Sequence, residues 1–182
     1  MAHGDDSRVF DELLVLHVQS GDRRALERLA ARWQPRLLAT ARRLTGEADA
    51  AREVVQETWA GIVRGLPRLS DPAKFPAWAF GILRRKCADQ ISFVQTRRAR
   101  FAELPEQEPP APRAPDGTVS DIQRAFDALS PDHRIAATLF FAEGLSLIEV
   151  AAAMEVPVGT AKSRIFHARK HLKSLLKGDD DV

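Results

Sequence analysis

The chain has 182 residues, of which 45% are hydrophobic and 29% are charged, and its formal net charge is +2. This composition is typical of a globular protein and argues against a mostly disordered chain. No apolar run reaches the roughly 20 residues that a membrane span needs, and residues 1–8 lack the basic start and apolar core of a secretory signal. A single cysteine, Cys87, excludes intramolecular disulfides and cysteine-based zinc sites, so we expect a reducing, cytoplasmic location.

Charge is unevenly distributed along the chain. Residues 1–99 contain 17 Lys and Arg against 12 Asp and Glu, whereas residues 120–182 contain 8 against 9. Two short segments, residues 82–100 and 158–178, concentrate the cations. Two basic segments in a nearly neutral protein favour a polyanionic partner such as nucleic acid, although either segment alone would also suit a solvated helix face.

The first half of the chain is predicted to form three amphipathic helices. Apolar residues recur at helical spacing over residues 26–44, where Thr45-Gly46 ends the pattern, and again over residues 54–66. A third pattern follows Asp71-Pro72, which has the form of an N-cap with proline at the first helical position, and runs over residues 75–94.

Residues 104–118 differ in composition from the rest of the chain. This segment contains five prolines and only one large hydrophobic side chain, Leu104, so it lacks the apolar content of a packed helix. We interpret residues 100–119 as a flexible linker between two small helical domains, residues 1–99 and 120–182. A single domain with a long loop is the alternative interpretation.

Helix signals return after this linker. Ser130-Pro131 predicts a helix that stops at Gly144, and residues 146–149 have the form of a capping box that opens a short helix to about Met154. A tight break and a longer basic helix follow, which gives helix-turn-helix proportions with the second helix placed to enter a DNA major groove. An ordinary helical hairpin with a solvated basic face is the alternative. The outward face of the second helix is predicted to present Thr160, Lys162, Ser163, Arg164, His167, Arg169 and Lys170.

The third predicted helix places the aromatic Trp78 before a basic cluster, Arg84, Arg85 and Lys86. Aromatic faces stack on unpaired bases while cations follow the phosphate backbone, which is how proteins hold single-stranded nucleic acid. An aromatic residue at helical spacing is also common in a core, so a core position for Trp78 is the alternative.

Motifs for enzyme chemistry are missing from the sequence. The chain has no phosphate-binding glycine loop, no HExxH and no serine nucleophile elbow. Glu53 and Glu57 form an acidic pair, but on the exposed side of an amphipathic helix. His167 and His171 have metal-ligand spacing, but the neighbouring cations disfavour a metal ion there. We therefore expect no catalytic residue, no metal site and no cofactor.

Four segments, in order, resemble the bacterial extracytoplasmic-function (ECF) sigma factors of the sigma-70 family. Residues 51–59, AREVVQETW, are similar to the polymerase-binding helix of that family. Residues 75–89, FPAWAFGILRRKCAD, resemble the helix that reads the −10 promoter element. Residues 128–134 resemble the opening of the second domain. Residues 146–169 resemble its helix-turn-helix, with VGTAKSRI at 158–165 as the most specific run.

The resemblance implies an all-α fold in which residues 1–99 form region 2 and residues 120–182 form region 4. It implies a surface for core RNA polymerase, a surface for the −10 element and a helix-turn-helix, with the residues named above, for the −35 element. The implied partners are core RNA polymerase, promoter DNA and, as often in this family, an anti-sigma factor, with no membrane insertion. The implied polymerase-binding residues are Glu53, Gln56 and Glu57, and the implied −10 residues are Trp78, Arg84, Arg85 and Lys86.

Some positions depart from the family pattern. Glu155 stands where the helix-turn-helix usually has glycine, which predicts a different turn geometry, and Arg85 and His167 replace a usual Asn and Arg. The alternative function is a stand-alone helix-turn-helix regulator that binds duplex DNA without polymerase. The aromatic-then-basic helix and the long linker favour the sigma factor, because a duplex-only regulator needs neither.

Overall fold

The computed structural model describes residues 3–102 and 121–177, and within these ranges the chain is helical, without strands. The predicted all-α fold, with two helical domains and a C-terminal helix-turn-helix, is confirmed. The predicted linker lies outside the described residues from position 103 onwards, since the last helix before it extends to Ala102. The N-terminal domain comprises α1 (His3–Gln19), α2 (Arg23–Thr45), α3 (Ala48–Gly65) and α4 (Phe75–Ala102). The C-terminal domain comprises α5 (Asp121–Asp127), α6 (Pro131–Ala137), α7 (Leu147–Met154) and α8 (Val158–Lys177).

Helix α1 is not predicted by the apolar patterns, because its apolar residues lie on both faces. Leu14 and Val15 are buried, whereas Leu13 is 47% exposed. The helix is held to α2 by a charge pair in which the buried carboxylate of Asp11 accepts a hydrogen bond of 2.8 Å from Arg32 Nε. The Arg32 guanidinium also lies over the ring of Phe10.

Local signals define the ends of α2. The Asp22 side chain accepts hydrogen bonds from the backbone N–H groups of Arg24 and Ala25, which satisfies two donors of the first turn. At the other end Gly46 adopts a left-handed conformation with φ of 76°, and its N–H donates to Arg42 O. The predicted stop at Thr45-Gly46 is confirmed, because a residue without Cβ adopts this conformation at little cost.

The core of the N-terminal domain is built around Trp33 of α2. Its ring meets Phe75 edge-on at a centroid distance of 4.9 Å and lies 5.6 Å from Phe80, and all three side chains are almost fully buried. Leu83 and Val55 complete the contacts of α4 and α3 with this centre. Aromatic contacts of this kind contribute beyond the area they bury, so this cluster positions α4 firmly against α2 and α3.

The two domains contact each other through α4 and α7, and the hydrophobic core continues across this boundary. Val150, Ala153 and Met154 belong to the same buried cluster as the N-terminal core. The backbones approach closely: a Cβ built on Gly81 would lie 3.5 Å from the carbonyl oxygen of Ala153. A smaller buried cluster, formed by Leu129, Ala137 and Ala168, joins the remaining helices of the C-terminal domain.

Candidate nucleic-acid interface

The helix-turn-helix is formed by α7 and α8. Ser146 Oγ accepts a hydrogen bond from Glu149 N, and the Glu149 carboxylate accepts one of 2.7 Å from Ser146 N. This is the predicted capping box, and it begins α7 where the sequence pattern indicates. Ala161 of α8 is fully buried, which lets the second helix cross close to the first.

The turn between these helices contradicts one expectation. Glu155, which was expected to require another geometry, itself adopts the left-handed conformation of a glycine, with φ of 56°. Its N–H donates to Ala152 O, and Val156 N–H donates to Ala151 O, so the turn closes normally. A left-handed residue with a Cβ costs roughly 1–2 kcal/mol, so contacts of its side chain must offset this strain.

Helix α8 carries its predicted residues on the surface, with two exceptions. Thr160 is half-buried at the start of the helix. The guanidinium of Arg164 is only 24% exposed and donates a hydrogen bond to the Asp132 carboxylate of α6. The remaining five side chains are exposed and free of any ion pair in the described part of the chain: Lys162, Ser163, His167, Arg169 and Lys170.

Sequence reasoning missed Phe166 on this surface. Its ring is 64% exposed and lies 5.6 Å from the ring of His167, which in turn stacks on His133 of α6 at 6.0 Å. This exposed ring lies among the cations of the outward face of α8, between Lys162 and Lys170. The signal was available, because Phe166 is four residues from both Lys162 and Lys170 and so lies on their face.

The predicted −10 residues of α4 have different partners in the structure. Trp78 is half-buried, and its ring lies 6.2 Å from the Phe75 ring and in van der Waals reach of Gly65. Part of this side chain therefore packs against the hydrophobic core, as the alternative interpretation predicts. Arg84 and Arg85 lie towards the C-terminal domain. Lys86 lies towards α3.

Arg84 and Arg85 share one partner, Glu155 in the turn of the helix-turn-helix. Arg84 Nη2 donates to the Glu155 carboxylate at 3.0 Å, and Arg84 Nε donates to Ala153 O at 3.0 Å. Arg85 binds the other oxygen of the same carboxylate. A residue of the C-terminal domain therefore occupies both arginines of the candidate −10 surface.

The predicted polymerase-binding residues Glu53, Gln56 and Glu57 are all exposed on α3. Lys86 Nζ lies 2.7 Å from the Glu57 carboxylate, and Gln90 donates to Glu53 at 3.2 Å. Glu53 and Glu57, with Lys86 and Gln90, line a groove of about 290 Å³ between α3 and α4, and Gln56 lies outside it. The predicted polymerase-binding residue Glu57 is therefore in direct contact with Lys86, one of the predicted −10 residues.

Cys87 lies beneath this surface. Burial in apolar surroundings raises the pKa of its thiol to about 12, so it stays protonated at neutral pH and is a poor nucleophile. Across residues 3–102 and 121–177, no three His, Cys, Asp or Glu side chains are placed to hold a metal ion together. No helix in these ranges has the length and apolar character of a membrane span.

Two family models match the chain in sequence order. Residues 29–98 match sigma-70 region 2, and residues 120–172 match sigma-70 region 4. The first match covers most of α2, all of α3 and most of α4, and the second includes all of α7 and most of α8.

Characterised proteins of similar length match most of the chain. The RNA polymerase sigma-H factor of Pseudomonas aeruginosa is 29% identical over 181 residues, which cover 92% of this chain and 94% of that protein. The ECF RNA polymerase sigma-E factor of Escherichia coli K12 is 30% identical over 176 residues, 88% of this chain and 91% of that protein.

Solved structures are also similar to this chain over most of its length. The sigma factor RpoE of Bartonella quintana, in complex with the anti-sigma factor NepR, is 28% identical with a TM-score of 0.70 and covers 84% of this chain and 96% of its own. CnrH, in complex with the cytosolic domain of CnrY, is 27% identical with the same TM-score and covers 93% of this chain and 99% of its own.

Proposed function

Because the chain belongs to the ECF group of RNA polymerase sigma factors, we propose that its two domains divide promoter recognition between them. The observation that carries this proposal is the helix-turn-helix, whose second helix presents an exposed basic face beside a buried, capped first helix. Matches to both sigma regions do not favour the stand-alone regulator, which would need only the second.

We propose that α8 binds the −35 element. Its N-terminal half enters the major groove, where Lys162 and Arg164 reach guanine edges and Thr160 and Ser163 reach phosphates. The Asp132 carboxylate holds Arg164 in one orientation, which lowers the entropy lost on binding. Phe166 is placed to contact thymine methyl groups. His167, Arg169 and Lys170 add positive charge towards the backbone.

We propose that α4 binds the −10 element through Arg84 and Arg85, with Lys86 at the edge of the surface. Guanidinium groups bind phosphate oxygens in bidentate fashion, and the same groups already bind a carboxylate in this structure. Trp78 supports the surface from below and supplies an aromatic edge for stacking on an unpaired base.

We propose that core RNA polymerase binds the exposed side of α3. Glu53, Gln56 and Glu57 provide acceptors there, and Val63 adds an apolar side chain that is 48% exposed. Charged rims around an apolar contact are typical of protein interfaces of moderate affinity. The catalytic chemistry then belongs to the polymerase, and the chain itself has no catalytic role.

We propose that an anti-sigma factor also binds this chain, in the cytoplasm where transcription takes place. The support is the likeness to a sigma factor solved with such a partner, the RpoE of Bartonella quintana, over 84% of this chain. The anti-sigma factor would compete with polymerase or DNA for the surfaces described above.

The proposed function is tested by binding to core RNA polymerase and by run-off transcription from the DNA upstream of the gene for this protein. The expected result is co-purification with polymerase and a specific transcript. Tight duplex binding without polymerase binding would instead establish a stand-alone regulator.

The −35 assignment is tested in the same assay with Lys162→Ala. The transcript is expected to fall roughly tenfold, because one base-edge contact contributes about 1–3 kcal/mol. Lys173→Ala is the matched control, since both lysines are exposed on α8 but only the first lies near its N-terminus. Equal losses in both variants would contradict a base-reading role for Lys162.

A further inference from the structure

Two histidines of the C-terminal domain stack on each other where α6 meets the outward face of α8. The ring of His133, on α6, lies 6.0 Å from the ring of His167, on α8, and the two planes are inclined by 29°. His167 is exposed and His133 is half-buried. The ring of Phe166 also meets the His167 ring nearly edge-on, at 5.6 Å. Two aromatic contacts therefore restrict the orientation of the His167 imidazole.

Cations surround this pair on α8. Arg164 and Lys170 lie three residues before and three residues after His167, so they share its face of the helix. Asp132 precedes His133 on α6, but its carboxylate accepts a hydrogen bond from the Arg164 guanidinium. A positive charge on the histidine pair would therefore have cations beside it and a carboxylate that is already engaged.

The other acids of the helices that pack against α8 also have cationic partners. Asp127, at the end of α5, lies 3.8 Å from Arg134 of α6. Glu149 of α7 accepts hydrogen bonds from Arg8, and Glu155 of the turn binds two arginines of α4. Among the described side chains of α5, α7 and α8, the remaining groups that carry or can take up positive charge are Arg124, Lys162, Arg169, Lys173 and His171. The acids named here thus have partners other than the two histidines.

We propose that the His133–His167 pair couples binding of the −35 element to the uptake of one proton. Imidazole is the side chain whose charge ordinarily changes between pH 5 and 8. Without DNA, a charge on the stacked rings is opposed by Arg164 and Lys170. A DNA phosphate supplies the anion that the free chain does not offer to this pair. This inference rests on the proposed binding of DNA by α8.

The two histidines have different roles in this coupling. His167 takes a proton from the solvent when DNA binds, and its imidazolium then donates a charge-assisted hydrogen bond to a phosphate oxygen. His133 is a positioning residue, because its ring supports the ring of His167 from α6. Two protons on stacked rings would repel each other, so we expect the pair to take up one.

The coupling fixes the direction of the pH dependence. The protonated form binds DNA more tightly, so affinity for the −35 element rises as the pH falls. Uptake of a single proton changes the dissociation constant by at most about tenfold per pH unit. Arginine, which the family usually has in place of His167, stays charged over this whole range and predicts no such dependence.

The test compares wild type and His167→Arg, each assembled with core RNA polymerase. A fluorescein-labelled duplex from upstream of the gene for this protein is titrated with each holoenzyme at pH 6, 7 and 8, at constant ionic strength, and anisotropy is measured. The ratio of the two affinities cancels every titration of the polymerase and the DNA, because these are the same in both samples. We expect the affinity of the wild type relative to His167→Arg to rise roughly fivefold from pH 8 to pH 6.

Three further variants locate the effect. His171→Gln is the matched control, since it changes another exposed histidine of α8, and it is expected to keep the pH dependence of the wild type. His133→Ala is expected to weaken binding roughly threefold at every pH, because the His167 ring loses its support. His133→Phe, which can stack but cannot titrate, is expected to restore the affinity and to retain the pH dependence.

A ratio of wild type to His167→Arg that stays constant from pH 8 to pH 6 would overturn the proposal. Loss of the pH dependence in His171→Gln or in His133→Phe would also overturn it, because the proton would then not be at His167. Failure of the holoenzyme to assemble, or of the duplex to bind at any pH, would refute the proposed function. Specific binding with a constant ratio would refute the proton uptake alone.

Discussion

Neighbouring residues on α8 differ in exposure and in their ion-pair partners. Lys162 is exposed, whereas the Arg164 guanidinium is bound by the Asp132 carboxylate of α6. The rings of His167 and His133 stack beside them. The start of α6 thus contacts α8 through two side chains, and if α8 binds DNA as proposed, a substitution there is expected to alter that binding without any direct contact with DNA.

The substitution Phe166→Ala tests whether this exposed ring takes part in DNA binding. Because the ring is 64% exposed, its loss is expected to change the free energy of unfolding by less than about 0.5 kcal/mol. Run-off transcription from a cognate promoter is expected to fall roughly fivefold, through the loss of apolar contact with thymine methyl groups. Leu175→Ala, another exposed apolar side chain of α8, is the control and leaves the transcript unchanged. Equal amounts of transcript from the wild type and from Phe166→Ala would show that Phe166 does not contribute to DNA binding.

Helices α3 and α4 meet where a glycine faces an aromatic ring. A Cβ on Gly65 would lie 2.6 Å from Trp78 Cζ2, closer than atoms in a folded protein approach. The backbone of Gly65 has φ of −93°, which any residue adopts, so this glycine is needed for space and not for conformation. The orientation of Trp78, and with it the candidate −10 surface, depends on this contact.

Gly65→Ala is therefore expected to lower the free energy of unfolding by about 1–3 kcal/mol, as overpacking does elsewhere. The measurement is urea unfolding followed by circular dichroism. Gly159→Ala is the matched control, because a Cβ there meets no atom within 4 Å, and it is expected to be neutral or stabilising. Combining Gly65→Ala with Trp78→Leu is expected to recover part of the loss. An unaltered stability of Gly65→Ala would show that the ring moves aside freely.

At the scale of the whole molecule, the contact between the domains combines an apolar centre with charged pairs around it. The cluster of Val150 and Ala153 against α4 buries apolar area, which contributes about 25 cal/mol per Å². The exposed pairs of Glu155 add little free energy individually, but they specify the orientation in which the domains meet.

Acid is expected to weaken this contact through Glu149. Partial burial raises the pKa of its carboxyl, but hydrogen bonds from Arg8 and Ser146 outweigh burial, so the pKa lies below its ordinary value of 4.5. A lowered folded-state pKa means that the stabilisation is complete above 4.5 and is lost as the pH falls through the folded-state value.

The corresponding measurement is urea unfolding of the wild type and of Glu149→Gln at pH 7 and at successively lower pH through the acid range. The difference in stability between them is expected to be largest at neutral pH and to shrink on acidification. Glutamine at this position still accepts from Ser146 N, so the capping box survives and only the charge is tested. A difference independent of pH would show that the charged form of Glu149 does not stabilise the fold.

Spacing and capping residues in the sequence predict most of the helices and several of their ends, though not α1, because these features depend on neighbours along the chain. Gly46 ends α2, Ser146 begins α7, and Lys162, Ser163, His167, Arg169 and Lys170 lie outward on α8, as spacing and capping chemistry predict. Helical periodicity assigns each residue to a face, and a capping side chain needs only a backbone group two or three residues away.

The partners of those helix faces follow from the packing of the helices and not from local spacing. In the folded chain Trp78 packs against Gly65, and Lys86 pairs with Glu57. Arg84 binds Glu155, which is 71 residues further along the chain. Periodicity cannot foresee such partners, because they depend on which helices pack together and at what distance. The left-handed Glu155 shows the same limit: locally the position calls for glycine, and its carboxylate has a role only when the other domain supplies the two arginines that bind it.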